Sequence, residues 1–478
     1  MNDRSFKFSF ALVITFTCMF LLYVGLSNPG YLADVRMLGG LIFLELLAAI
    51  LWNYRQRFFL ALILAFLWAG TSVPLQGLWA SGRWVVLAAG AIGGIVIYLR
   101  DPRHHFGLFH LMAFGCVLTA IVSALVSTYP QVAVLKAASL FLLFLYGATG
   151  ARLAVMGREA KFFSGLLLGC ELLVYLTGFA YFVLRLELFG NRNSLGVVMG
   201  VVAWPILLWG LFESGELSVR RRRTFALVLC LVLLLGSYAR AAIAAASVSS
   251  ALLCFGLRRY RLLFKGAAVA LLAAILVAAF VPIENATERG DSSLISHFIY
   301  KGQPESGIWG SRTPVWDRTI SSLREHPWFG TGFGTSSIDY DKTEVPGSFA
   351  SAANFSREHG NSYLAITEWV GLLGIVPFLM LLLVIGVYIR RVVTWMRRGG
   401  NPVSPAVPLA AFVAGALVHA GFEDWLFAVG YHTCVLFWAL AFMLPDLLPA
   451  AAPQHAYSRI QCASRPLEDS LGAAASAQ

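Results

Sequence analysis

Long apolar runs alternate with short polar segments along nearly the whole chain. A helix of about 16–26 residues is long enough to cross a hydrocarbon core roughly 30 Å thick. The pattern therefore predicts an all-α polytopic integral membrane protein with about 12 to 14 transmembrane helices. The candidate spans are residues 8–26, 37–52, 58–77, 84–99, 108–127, 132–151, 164–183, 194–212, 224–238, 242–257, 267–283, 364–389, 406–422 and 426–448.

One segment between the runs is much longer than the others and divides the chain. Its own pattern predicts a partly helical loop, because Thr313 and Pro314 are typical of a helix start and His326-Pro327 ends the pattern. The predicted helix carries Val315, Trp316, Ile320 and Leu323 on one face. The expected organisation is transmembrane helices in 1–283, the long loop in 284–363, further transmembrane helices in 364–448 and a disordered tail in 449–478.

The distribution of basic residues predicts the orientation. With the N-terminus in the cytoplasm, arginine and lysine clusters fall on alternate, inner segments, as at Arg220–Arg223 and at Arg390 and Arg391. Both termini are then cytoplasmic, and the long loop lies outside.

Composition narrows the function classes. Hydrophobic residues make up 58% of the chain and charged residues 13%, which excludes an ordinary soluble domain. The net charge of +11 comes from short arginine clusters between apolar runs, so it indicates topology rather than nucleic-acid binding. The seven cysteines are scattered without a CxxC motif, which predicts neither a metal site nor a disulfide framework.

Polar residues collect on the predicted outer side. Three arginines lie there although basic residues are usually rare on the outer side: Arg192, next to Asn193, and also Arg240 and Arg312. Guanidinium groups bind phosphate oxygens well. They favour a site for an anionic ligand. The candidates for proton chemistry or substrate binding on the same side are His359, Asn361 and Tyr363 at the end of the loop, and His419 and Glu423 at the end of a later span.

Several outer segments, taken together, resemble the superfamily of O-antigen ligases and polysaccharide polymerases, which are bacterial inner-membrane glycosyltransferases. The resemblance extends over about residues 185–435. The segments are FGNRNSLG, GSYARAAI, SRTPVWDRTISSLREHPWFGTGFGT, HGNSYLAITEWVGLLGIVPF and HAGFEDWLFAVG.

The resemblance implies transfer of a glycan from undecaprenyl diphosphate at the periplasmic face, without a metal, a nucleotide sugar or another cofactor. By motif, Arg240 and Arg312 match the arginines that hold the diphosphate, and His359 matches the histidine that activates the acceptor. In many ligases the histidine directly precedes the polar residue of this motif, whereas here Gly360 separates His359 from Asn361. The sequence GNSYL is closer to that of the polymerase branch. In that branch Glu423 or His419 is an alternative proton acceptor.

The expected function is polymerisation of lipid-linked repeat units into an exopolysaccharide, capsule or O-antigen. The acceptor would be a glycan or a lipid, and chain-length regulators or export proteins are candidate partners. A ligase that transfers glycan to the lipid A core is the alternative within the superfamily. A transporter or flippase of lipid-linked sugars, or a non-enzymatic scaffold, is the alternative from another class.

Overall fold

The computed structural model describes residues 55–71, 76–100, 106–213, 215–261, 263–266, 268, 271–272, 312–336 and 358–449. Every regular element in this part of the chain is helical. The helices are α1 (Arg55–Ala69), α2 (Gln76–Arg100), α3 (Leu108–Leu125), α4 (Pro130–Val155), α5 (Glu159–Phe182), α6 (Arg192–Glu213), α7 (Leu217–Gly236), α8 (Arg240–Gly256), α9 (Thr313–Glu325), α10 (Ser362–Arg397), α11 (Ala406–Ala420), α12 (His432–Ala441) and α13 (Leu444–Leu447).

Apolar composition suits these helices to a membrane. Six of the described helices are long and apolar enough to cross a membrane, and four shorter apolar helices pack with them. Large apolar side chains such as Leu168 and Leu172 remain exposed on the bundle surface, as expected of a surface that faces lipid. The predicted class of all-α polytopic membrane protein is confirmed.

The described helices follow the predicted spans, but several ends differ. Helix α2 begins at Gln76 rather than 84, α7 begins at Leu217 rather than 224, and α10 ends at Arg397 rather than 389. The first described helix ends at Ala69 rather than 77, because the chain turns at Gly70. The predicted span 426–448 begins as a loop, in which the carbonyl of Leu426 accepts a hydrogen bond from Trp438 Nε1 at 2.6 Å, and the helix starts only at His432. The predicted spans 8–26 and 37–52, most of 267–283 and nearly all of the tail lie outside the described residues.

Small residues bring α8 and α11 into close contact. Ser249 Oγ donates to the carbonyl of Ala411 at 2.9 Å, and a Cβ at Gly415 would lie 2.2 Å from that hydroxyl. Close approach through small residues is a common way of packing helices in membranes. The contact positions the start of α8, at Arg240, beside the loop that follows α11.

Helix α10 is broken at Gly371, whose φ of 69° is left-handed. A loop segment, residues 327–332, supplies the hydrogen bonds that the break removes. Thr331 N and Gly332 N donate to the carbonyls of Glu368 (3.0 Å) and Trp369 (3.2 Å), while Leu372 N donates to Pro327 O at 2.8 Å. Ser123 Oγ on α3 also donates to the carbonyl of Trp369, at 2.5 Å. Protein groups therefore bond the backbone on both sides of the break, the condition under which irregular backbone occurs in membrane proteins.

Gly371→Ala is expected to destabilise this docked segment. A Cβ at Gly371 would lie 2.4 Å from Trp328 O and 2.6 Å from Gly330 N, which are backbone atoms with little freedom to move. The left-handed backbone adds about 1–3 kcal/mol of strain for a residue with a side chain. We expect a lower Tm and faster proteolysis near residues 327–336 in purified protein. Gly386→Ala is the control, since a Cβ there meets nothing within 4 Å; an equal response of both variants would contradict this account.

Candidate active site

His359 lies between two carboxylates in a fully buried position. Its Nε2 is 3.2 Å from Glu368 Oε2, and both side chains are 0% exposed. Its Nδ1 is 3.4 Å from Asp424 Oδ2, and its backbone N–H donates to the same oxygen at 2.8 Å. Ser336 Oγ completes the surroundings at 3.2 Å from Nε2. Both imidazole nitrogens are therefore occupied by protein groups.

Local sequence explains how His359 reaches this position. Gly360 adopts a φ of 59°, which turns the chain directly before α10. Asn361 then caps the helix, because its Oδ1 accepts from Tyr363 N at 2.8 Å and Leu364 N at 3.2 Å. Ser362 joins the helix start to the loop after α11, donating to Glu423 O at 2.5 Å and accepting from Leu426 N at 3.1 Å. These contacts fix Asp424 next to His359.

The electrostatics favour an imidazolium between the two acids. Burial lowers the pKa of His359, but the hydrogen bonds and negative charges of Asp424 and Glu368 outweigh it, and the pKa lies above its ordinary value. Burial raises the pKa of Asp424, and the hydrogen bonds and charge of His359 bring it below its ordinary value. Each group therefore favours the charged form of the other, a protonated His359 beside an ionised Asp424.

Arg312, at the start of α9, ties three segments together. One of its terminal nitrogens donates to the carbonyls of Gly360 (2.6 Å) and Phe422, and the other donates to Glu423 Oε1 at 3.0 Å. The side chains of Arg312 and Glu423 are 18% and 20% exposed, so this pair borders solvent while His359 does not. Burial raises the pKa of Glu423, Arg312 opposes that rise and nearby acids add to it, and the pKa remains above its ordinary value.

Arg240 lies close enough to Arg312 for their charges to interact. It opens α8 after a tight turn, in which Tyr238 adopts a left-handed φ of 54° and Ser237 Oγ accepts from Ala239 N at 3.2 Å. The carboxylate of Glu423, 3.0 Å from Arg312, offsets part of the repulsion between the two like charges. Arg240, Arg312, Glu423, Asp424 and His359 are thus brought to one end of the bundle, and we name them the polar cluster.

Four of the other predicted site residues have contacts that support the fold. Asn361 is the helix cap described above. The hydroxyl of Tyr363 donates to Leu417 O at 2.6 Å, joining α10 to α11. His419 is buried, and its Nδ1 accepts from Trp425 Nε1 at 2.8 Å. Arg192 makes a long ion pair with Glu187 at 3.7 Å, with both side chains more than half exposed. Asn193 is exposed beside it. Their roles in substrate binding stay predictions.

Sequence reasoning missed Glu368, Asp424 and Ser336 as neighbours of the histidine. Glu368 carried a usable signal, since an acidic residue inside an apolar run is a functional candidate by default. Asp424 was predicted on the same outer side as Glu423, but nothing in the sequence pairs it with His359, which is 65 residues away. Ser336, 23 residues from His359, carried no signal. Within the described ranges, no group of three or more His, Cys, Asp or Glu side chains could hold a metal ion.

The helical bundle and the polar cluster define a multi-pass membrane protein with a charged site at one end. Residues 225–379 match a protein-family model described as O-antigen ligase, and the predicted resemblance to that superfamily is confirmed over these residues. The match includes Arg240, Arg312, His359 and Glu368. It supports glycan transfer of the O-antigen ligase or polymerase type by a glycosyltransferase-type enzyme. No curated protein matches the chain.

Proposed function

We propose that this protein is a polysaccharide polymerase that transfers a glycan from undecaprenyl diphosphate to the hydroxyl of a second carrier-linked glycan. The observation that carries the proposal is the arrangement at Arg312. This arginine forms hydrogen bonds with the segment before α10 and with the loop after α11, and its charge interacts with that of Arg240. Its partner in the loop, the carboxylate of Glu423, borders solvent. Two cations next to one candidate base are what transfer from a diphosphate requires.

The arginines act on the leaving group. As the bond between the anomeric carbon and the phosphate oxygen breaks, its electron pair goes to the diphosphate, which gains negative charge. Guanidinium groups held in place before the reaction stabilise that charge more in the transition state than in the ground state. The guanidinium of Arg312 is held by its hydrogen bonds to Gly360 and Glu423, and the turn before α8 fixes the backbone position of Arg240.

Glu423 is the group best placed to receive the acceptor's proton. It borders solvent, whereas His359 has no exposed surface and both of its nitrogens are occupied. A carboxylate with a raised pKa is the stronger base. When Glu423 becomes protonated, it no longer neutralises Arg312. The positive charge of Arg312 then stabilises the diphosphate more strongly, at the stage when the diphosphate gains negative charge.

His359 is then a positioning residue, which holds Asp424 and Glu368 and fixes the loop that carries Glu423. The prediction that His359 itself is the base remains the alternative. A pH profile separates the two roles, as set out in the Discussion.

The arginine distribution supports a periplasmic site. Helix α7 runs from Leu217 to Gly236, so Arg220–Arg223, near its start, lie about 20–24 Å along the axis from the turn that leads to Arg240. The polar cluster is thus at the end of the bundle opposite this arginine-rich end. Basic residues mark the cytoplasmic side, and we infer an inner-membrane protein with its site facing the periplasm.

Polysaccharide size in a strain that lacks the gene tests the function. A polymerase predicts that the deletion strain accumulates single carrier-linked repeat units and that the wild-type gene restores long chains. Long carrier-linked chains that never reach the lipid A core would instead indicate a ligase. Loss of repeat units from the periplasmic side would indicate a flippase, and normal products would contradict the proposal altogether.

A further inference from the structure

Four consecutive arginines, Arg220–Arg223, lie near the start of α7, and the first two differ from the last two in their contacts. Arg222 Nε lies 2.8 Å from Glu171, a buried acid on α5, and Arg223 Nε lies 3.4 Å from the same side chain. Arg223 also reaches Glu213 at 3.2 Å and donates to Gly210 O at 2.6 Å. These two arginines are neutralised by neighbouring helices and have a packing role.

Arg220 and Arg221 are exposed instead, and no carboxylate pairs with either in the part of the chain that the structure describes. They line an open groove of about 450 Å³, whose other walls are Leu217, Thr224, Phe225 and Val228. Leu217, Phe225 and Val228 are 70%, 63% and 43% exposed. A groove with two unneutralised cations and an apolar floor faces the surroundings of the bundle.

Helical geometry determines how far along α7 the arginines and the apolar side chains of the groove lie. Arg221, Phe225 and Val228 are spaced four and then three residues apart, so they lie along one face of α7. Phe225 is about 6 Å and Val228 about 10 Å further along the axis than Arg221. The cations are thus at the end of the span and the apolar side chains extend inward from them, which is the arrangement of charge and hydrocarbon in a single phospholipid.

We propose that this groove binds an anionic phospholipid, with the phosphate on Arg220 and Arg221 and an acyl chain along Phe225 and Val228. Charge complementarity selects the occupant, because a zwitterionic headgroup carries an ammonium that the two arginines repel. The apolar floor favours a lipid over a free phosphate, since only the lipid covers the exposed phenyl and valine side chains. Arg220 and Arg221 lie more than about 20 Å along α7 from the turn that leads to the polar cluster, so this site is independent of the function proposed above.

Native mass spectrometry of the purified full-length protein, titrated with phosphatidylglycerol, tests the site. Each arginine near a bilayer surface contributes roughly a factor of five in affinity for anionic lipid, so Arg220→Gln/Arg221→Gln is expected to weaken the strongest adduct about tenfold or more. Arg390→Gln/Arg391→Gln is the matched control, because it removes the same charge from exposed positions on α10, which also belong to a cluster predicted to be cytoplasmic. Arg220→Lys/Arg221→Lys keeps the charge and should recover most of the binding, which separates a lost contact from a misfolded protein.

Three results would overturn the proposal. Equal weakening in both glutamine variants would show a general effect of surface charge. Equal binding of phosphatidylcholine would show that charge does not select the lipid. Displacement of the adduct by millimolar inorganic phosphate alone would show an anion site without a lipid component.

Discussion

Replacing Arg312 by alanine is expected to lower the rate of glycan transfer by about 10²–10³, the usual effect of removing one fixed donor to a developing anion. The substitution removes the charge proposed to act on the diphosphate, and it also removes the hydrogen bonds to Gly360, Phe422 and Glu423. Arg312→Lys keeps the charge but loses the planar fork, so it should recover only part of the rate. The measurement is chain extension by purified protein in vesicles with a carrier-linked repeat unit.

Arg318→Ala is the control for Arg312→Ala, because Arg318 is an exposed arginine on the same helix. It should retain nearly full activity. The role assigned to Arg312 would be wrong if its alanine variant, at equal amount and equal Tm, extended chains at the wild-type rate.

Glu423→Gln is expected to cost about 10²–10⁴ in rate, the range for loss of a general base. The glutamine keeps the size of the side chain and can still bond Arg312, so folding should be little changed. Glu325→Gln makes the same change at an exposed position at the end of α9 and should be silent.

The pH profile of the wild-type protein distinguishes Glu423 from His359 as the base. Glu423 must be ionised, so the rate should rise with pH through its pKa, which is raised above 4.5. His359 must stay protonated to hold the two acids, so the rate should fall as pH rises through its pKa, which is raised above 6.5. If neutral His359 were the base, the rate would instead rise through that second pKa, and Glu423→Gln would remain active.

Much of the fold could be predicted from the sequence because lipid imposes one strong rule, that a spanning segment be a long apolar helix. Helix α9 was also predictable, since Thr313 and Pro314 are typical of a helix start and the helix begins at Thr313. The predicted face was partly wrong: Ile320 is 40% exposed, and the buried residues are Thr319 and Ser322. Hydroxyl side chains this small allow close helix packing, a property that an apolar pattern does not record.

The site was harder to predict, because its contacts join distant parts of the chain. Arg240, Arg312 and His359 stood out as polar residues outside spans, and the structure brings them together. The partners of His359 depend on the break in α10 and on the loop after α11. Gly371 by itself does not predict a break, since its left-handed backbone is stable only with residues 327–332 docked against it.

The docked break also defines which parts of this protein can be exchanged with those of a relative. The segment 327–332 and the broken turn of α10 fit each other through backbone atoms and through glycines on both sides, at Gly330 and Gly371. A chimera that takes only the loop, or only the helix, therefore joins two halves that were selected separately. A chimera is therefore expected to keep this packing only if residues 312–336 and 358–373 are exchanged together.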